Sequence, residues 1–193
     1  RSLMAVVVGV TFLALVGAGC RDRSADATAL FAATHSRKCG ELRRLIAAGV
    51  DVNYPFGAKG RTCLHQAAGA GNADVVETLI AAGADANARA DDGETPLQAA
   101  VLANDAGMIR LLVAKGADPN LPGFASATAL HLATIRGKAS AVAVLLAVGA
   151  DPNAPNEQGS SALGSLNGLR QVPDGDDPNA VVAAFERAGV DPP

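Results

Sequence analysis

Tryptophan is missing from this chain of 193 residues, tyrosine occurs once, and aromatic residues make up 3%. No large aromatic core can be built from so few rings. The abundant alanine and other small apolar residues suit closely packed short helices instead. An excess of one charge is also missing. Sixteen basic against 19 acidic residues leave a formal −3, with no long run of either sign. That argues against a basic face tracking phosphates, and so against nucleic-acid binding. No Gly-rich phosphate loop occurs, because the glycines recur at a fixed spacing. No Gly-x-Ser-x-Gly elbow occurs either; Gly159-Ser160-Ser161-Ala162 reads as a turn followed by a cap. No nucleophile–base pair emerges, so no catalytic residue, cofactor or metal is expected, and the chain reads as a non-enzyme.

What is present is a ruler. The phrase Gly49-Val-Asp-Val-Asn53 returns as Gly83-Ala-Asp-Ala-Asn87, Gly116-Ala-Asp-Pro-Asn120 and Gly149-Ala-Asp-Pro-Asn153. A second phrase reads Thr62-Cys-Leu-His65, Thr95-Pro-Leu-Gln98, Thr128-Ala-Leu-His131 and, worn down, Ser161-Ala-Leu-Gly164. Leu64, Leu97, Leu130 and Leu163 are each 33 apart. A period of this length predicts an all-α solenoid of stacked units rather than a globule around one pocket. It moves the expected function from catalysis toward binding another macromolecule.

Within one unit, Thr62 is an N-cap candidate. Leu64, Ala67 and Ala68 follow at helical spacing, and Gly71 ends the helix. Val75, Val76, Leu79 and Ile80 form a second apolar face that Gly83 closes. Two such short helices cannot bury both faces alone, so neighbours must stack. Asn104 takes the left-handed turn in the third unit, since Asn tolerates that conformation better than most residues. The first unit is expected to start at Thr28. The fifth, after about seven inserted residues, is degenerate and exposes Glu186, as a terminal cap should. The units read as 28–53, 54–87, 88–120, 121–153 and 154–193, after a linker at 21–27.

The first twenty residues are different material. Leu3 to Gly19 carries no charge, and Gly17-Ala18-Gly19 precedes Cys20 and a polar stretch. An apolar run ending in small residues is a secretory pattern. Seventeen residues are marginal for a membrane span of roughly 20. The Gly-Ala-Gly-Cys junction resembles a bacterial lipoprotein signal, which implies lipidation of Cys20. Gly17 departs from that motif, which usually has Leu there, and only Arg1 supplies positive charge before the run. A simple cleaved signal and a retained anchor stay open, as does the true start of the chain. Arg21 after the Cys, where the inner-membrane retention signal would be Asp, favours the outer membrane. The expected location is the cell envelope, on the periplasmic side. Cys39 and Cys63 fall at opposite ends of a helical hairpin by register, beyond disulfide reach, and are expected to be free thiols.

The repeated phrases resemble the ankyrin repeat: Thr-Pro-Leu-His opening helix one, Val-Val-x-x-Leu-Leu in helix two, then Gly-Ala-Asp-x-Asn. The resemblance covers the chain from about Thr28 to Asp191. Thr-Pro survives only at Thr95-Pro96, Ser126 replaces the turn Gly seen at Gly60, Gly93 and Gly159, and Phe31 stands in the slot of His65 and His131. The resemblance implies β-turn or hairpin tips and a structural role for His65 and His131 in bonding adjacent turns. It also implies that Asp51, Asp85, Asp118 and Asp151 support turns. Asp91-Asp92 and Asp174-Gly-Asp-Asp177 read as solvated loops, the latter lacking the full calcium-loop pattern. By the same analogy, turn tips and the ends of first helices line a concave binding face. Phe56, Leu102, Phe124 and Ile135 are then expected as partner-binding anchors, with Arg61, Arg89 and Arg136 as a polar rim. The expected function is a non-enzymatic protein–protein interaction module of the bacterial envelope, held as a monomer by a lipid or signal anchor. An immunity protein capping a secreted toxin is an alternative reading, and a hydrolase a remote one.

Overall fold

A computed structural model describes residues 23–36, 39–168 and 178–191. The period becomes helix pairs: α1 Arg23–His35 with α2 Cys39–Ala47, α3 Cys63–Gly69 with α4 Ala73–Ala81, α5 Pro96–Leu102 with α6 Ala106–Ala114, and α7 Ala129–Ile135 with α8 Ala139–Ala147. The fifth pair is a 3-10 turn, Gly164–Gly168, and α9 Pro178–Arg187. First helices stack in one row, α1 on α3 on α5 on α7. Second helices form the other row, with α2 against α4, α6 against α8 and α8 against α9. Among the described residues the only β pairing is two isolated bridges, Phe56 with Arg61 and Pro155 with Ser161. This is an all-α solenoid of helix-turn-helix units.

Local chemistry starts the first helices of units two to four. Thr95 Oγ1 accepts from the Gln98 N–H at 3.2 Å, while Gln98 Oε1 accepts from the Thr95 N–H at 3.3 Å. The reciprocal bonds satisfy two amides that the first turn cannot pair internally. His65 and His131 close the same box, with Nδ1 accepting from the Thr62 and Thr128 N–H groups at 3.1 and 3.3 Å. Pro96 sits at the first helical position, where a missing N–H loses nothing. Asn104 ends its helix at φ 54°, the left-handed position expected for it.

The core runs the length of the stack. Leu30, Leu64, Leu97 and Leu130 of the first row and Leu42, Leu79, Leu112 and Leu145 of the second are almost wholly buried. The Asp–Asn phrases form a polar ladder outside it. Each Asp Oδ1 accepts from the Asn N–H two residues on, as in Asp51 to Asn53 and Asp85 to Asn87, both 2.9 Å. Each Asn then reaches the next unit: Asn53 Oδ1 accepts from Asp85 N–H at 2.8 Å and Asn53 Nδ2 donates to Gly83 O at 3.0 Å. Asn87 bonds Asp118 and Gly116 in the same way, and Asn120 bonds Asp151 and Gly149.

Three expectations change at the ends. Helix α1 begins at Arg23, inside the stretch read as a linker, and Thr28 lies in its interior rather than capping it. Leu163 is only half-buried, unlike its counterparts, because a 3-10 turn replaces the first helix of unit five. Val181, Ala184 and Phe185 of α9 rebuild the second row, and Glu186 faces solvent. Residues 1–20, including Cys20, and the Asp174–Asp177 loop lie outside the described residues. Among the described residues, no helix is long and apolar enough to cross a membrane.

Candidate functional site

The expected binding residues converge on the tips and on the C-terminal ends of α5 and α7, but unequally. Leu102, Phe124 and Ile135 are the large hydrophobics left exposed among the described residues, at 39%, 51% and 48%. Leu102 closes α5, Ile135 closes α7, and Phe124 heads the 3-10 turn Phe124–Ser126. Phe56 departs from the expectation. It is half-buried, with its ring edge-on to Phe31 at 4.5 Å between centroids, and Phe31 in turn stacks with His35 at 6.4 Å. An aromatic in the slot that holds His in other units thus gives the tip of unit two something to pack on.

Arg61 also does more than line a rim. It pairs with Glu94 of the following tip, whose side chain is only 5% exposed. A carboxylate that dry requires a cation beside it. Lys59 stands 3.9 Å from Asp92, and the Asp91 N–H donates to Lys59 O at 2.9 Å. Tips two and three are therefore laced together. Arg89 is exposed and its Nη2 lies back beside Gly93 of its own tip. Arg136 follows α7, exposed, and its guanidinium has no ion-pair or hydrogen-bond partner among the described residues.

Two clefts share Lys59 and Arg61 as a common wall. The first, about 370 Å³, is lined by Phe31, Phe56, Ala58 and Gln66 besides those two. The second, about 180 Å³, brings Asp92, Glu94, Leu102, Phe124, Leu132 and Arg136 against them. Four expected binding residues, Arg61, Leu102, Phe124 and Arg136, thus meet in one cleft, and Phe56 joins through the other. Ile135 and Arg89 line neither.

Residues 3–90 and 82–156 match the family model of ankyrin repeats in 3 copies. The chain belongs to the ankyrin-repeat family. No curated protein matches it significantly. Ankyrin repeats generally serve as protein–protein interaction modules and are typically non-enzymatic.

The ankyrin-repeat frame explains where the histidines went. His65 Nδ1 accepts from an amide, so Nε2 carries the proton and donates to Glu94 O of the next unit at 2.9 Å. His131 does the same to Ser160 O at 2.9 Å. Burial pushes the pKa of His65 down, partly offset by Glu94, which fits a neutral ring used as a fixed strut. Among the described residues, no group of three or more His, Cys, Asp or Glu side chains is placed to hold a metal ion. Cys39 and Cys63 are free thiols, and burial pushes Cys63 up to about 11, so it stays protonated and inert.

Gln98 is the functional position that sequence reasoning left unassigned. It occupies the His slot of unit three, 33 residues from both His65 and His131. Its amide clamps the tip of unit four: Nε2 donates to Ala127 O at 2.7 Å and Oε1 accepts from the Phe124 N–H at 3.1 Å. A Cβ at Gly123 would collide with that amide, so a larger residue there would displace the clamp. The tip so held is unusual, with Ala125 and Ser126 both at φ 52°. Left-handed non-Gly residues cost of order 1–3 kcal/mol each. The Gln98 clamp and a bond from Ser126 Oγ to Glu157 hold this shape, and the shape holds Phe124 out in solvent.

Proposed function

We propose that this chain is a non-enzymatic binding module of the bacterial cell envelope that holds a partner protein on its tip face. The observation that carries the binding half is the placement of Leu102 and Phe124. Two of the three large hydrophobics exposed among the described residues meet in one cleft, beside an arginine that has no partner among those residues, while the other large apolar side chains described are at least partly buried. Apolar anchors with a polar rim are the pattern of interface hot spots. The envelope half is supported by the uncharged run Leu3–Gly19 ending at Cys20.

Affinity purification of the full chain from envelope fractions, beside the same chain carrying Phe124→Asp, tests the surface. A partner recovered with the parent chain should be lost with the variant, while the melting temperature barely moves. Recovery of the same partner by both would sink the assignment of this face. Intact-mass measurement of membrane-extracted protein tests the anchor, since a lipid adduct on Cys20 with residues 1–19 removed is expected. An unmodified Cys20 with those residues still attached would overturn it.

A further inference from the structure

We propose that the tip face recognises an extended acidic–apolar segment of its partner, with one large apolar side chain in each of the two clefts flanking the Lys59–Arg61 tip and a carboxylate beside the second, held by Arg136. The inference rests on the protein-binding reading above and names what such a partner presents.

Cleft size comes first. The second cleft, about 180 Å³, is below the ~300–1,000 Å³ of pockets that enclose small molecules. It suits a single inserted side chain. Its apolar wall of Leu102, Phe124 and Leu132 asks for an aliphatic or aromatic group. The first cleft offers the faces of Phe31 and Phe56. Because Lys59 and Arg61 line both, a chain leaving one cleft crosses this tip to enter the other.

Charge then selects among apolar segments. The carboxylates of the second cleft are already engaged. Glu94 is paired with Arg61, and Asp92 accepts from the Glu94 N–H and faces Lys59. Arg136 is the charged side chain of this cleft that lacks a partner among the described residues. A guanidinium takes a carboxylate in a planar two-bond fork, and a basic segment would meet the uncompensated positive charge of Arg136 instead.

Geometry sets the spacing. Stacked helices lie ~8–10 Å apart, so clefts one to two units apart are spanned by an extended chain of about three to five residues at ~3.3 Å each. A helical segment would need its anchors about seven to eleven residues apart to cover the same distance at ~1.5 Å per residue.

Selection of a random linear peptide library on the full chain tests this, followed by titration of one selected peptide. The enriched pattern should be two large apolar residues three to five apart, with Asp or Glu next to one of them. Arg136→Glu should weaken that peptide by ~tenfold or more, and a peptide whose acid is replaced by Lys should recover most of the loss on Arg136→Glu alone. Selected peptides without a carboxylate, with helical spacing, or indifferent to Arg136→Glu would overturn this proposal. If such peptides still lose affinity with Phe124→Ala, the tip face remains the binding surface. Peptides indifferent to every change in both clefts, or no enrichment at all, would overturn the proposal and count against the face itself. Melting curves of each variant confirm that the solenoid is intact.

Discussion

Tips at equivalent places in the repeat are put to opposite uses. The tips of units two and three face each other across charges: Arg61 closes on the buried Glu94, and Lys59 leans toward Asp92. Their turn glycines, Gly60 and Gly93, take left-handed backbone without penalty. The tip of unit four has lost that glycine, carries left-handed Ala125 and Ser126, and exposes Phe124. Where charge is neutralised within the stack, the tip serves the fold. Where strain and an exposed ring are tolerated and clamped by a neighbour, the tip is available for a partner.

The comparison presupposes that both tips stand on one continuous core, and the largest effect tests that. Leu112 is fully buried in α6, beneath the junction of units three and four. Leu112→Ala should cost about 2–5 kcal/mol, the usual range for truncating a buried leucine. Urea melts should show one cooperative transition shifted as a whole. Separate transitions for the two halves would mean that the tips belong to independently folding parts.

Arg61→Ala attacks the laced tips directly. It leaves the Glu94 carboxylate buried without its cation, which in a fully dry pair costs ~3–5 kcal/mol. Arg61 is itself 35% exposed, so water reaches the gap, and about 1–3 kcal/mol is expected. The double variant Arg61→Ala, Glu94→Ala should recover part of that loss in a denaturant titration. Arg136→Ala, at an exposed residue after α7, should fall within about 0.5 kcal/mol, as for surface sites with no buried partner. Equal losses at Arg61 and Arg136 would erase the distinction between lacing and free surface.

A subtler contrast separates the His and Gln struts. Burial lowers the folded pKa of His65 below the usual ~6.5. The unfolded chain then binds protons more readily than the folded one as pH falls through ~6.5, so this residue withdraws stability on acidification. Above that range its contribution is fully present. Gln98 makes the equivalent strut with no titrating group. His65→Gln should therefore keep most of the stability at neutral pH and flatten its decline as pH falls below about 6.5. Thermal melts across that range decide it; parallel curves for parent and variant would show that His65 does not govern the slope.

How much of this was legible in sequence follows from the same contrast. A fixed period announces whatever is repeated, so the helix starts and the two helical faces of the middle units could be placed, while the turn-supporting aspartates and the structural histidines followed from the resemblance to ankyrin repeats. It is silent about side chains that reach between units in one place only. Phe56 looked like a free anchor because nothing in its own unit covers it; the cover is Phe31, from the previous one. Arg61 looked like rim because Glu94 lies 33 residues away in a different tip. Gln98 could have been found, since it stands in register with two histidines whose role was already assigned. The ends escape for another reason. Helix α1 extends back to Arg23, past the Thr28 at which the period would start it, and so breaks the ruler rather than obeying it.

The smallest expected effect probes the strain itself. Ala125 sits at φ 52°, ψ 36°, exposed at the tip of unit four. Left-handed backbone costs a Cβ-bearing residue ~1–2 kcal/mol, and glycine escapes that penalty but loses more chain entropy on folding, ~0.5–1 kcal/mol. Ala125→Gly should therefore stabilise the fold by about 0.5 kcal/mol. Ser126→Gly restores the glycine of the neighbouring tips, yet it also removes the bond from Ser126 Oγ to Glu157, so its gain should be smaller or nil. The order of the two variants in a thermal melt is thus informative even where the shifts are small. Relief of strain should also loosen the presentation of Phe124, so a partner bound through that ring should be held less tightly by Ala125→Gly than by the parent chain. A destabilised Ala125→Gly would show that the left-handed turn carries no strain, and the exposed ring would then need another explanation than a tip held open at a cost in stability.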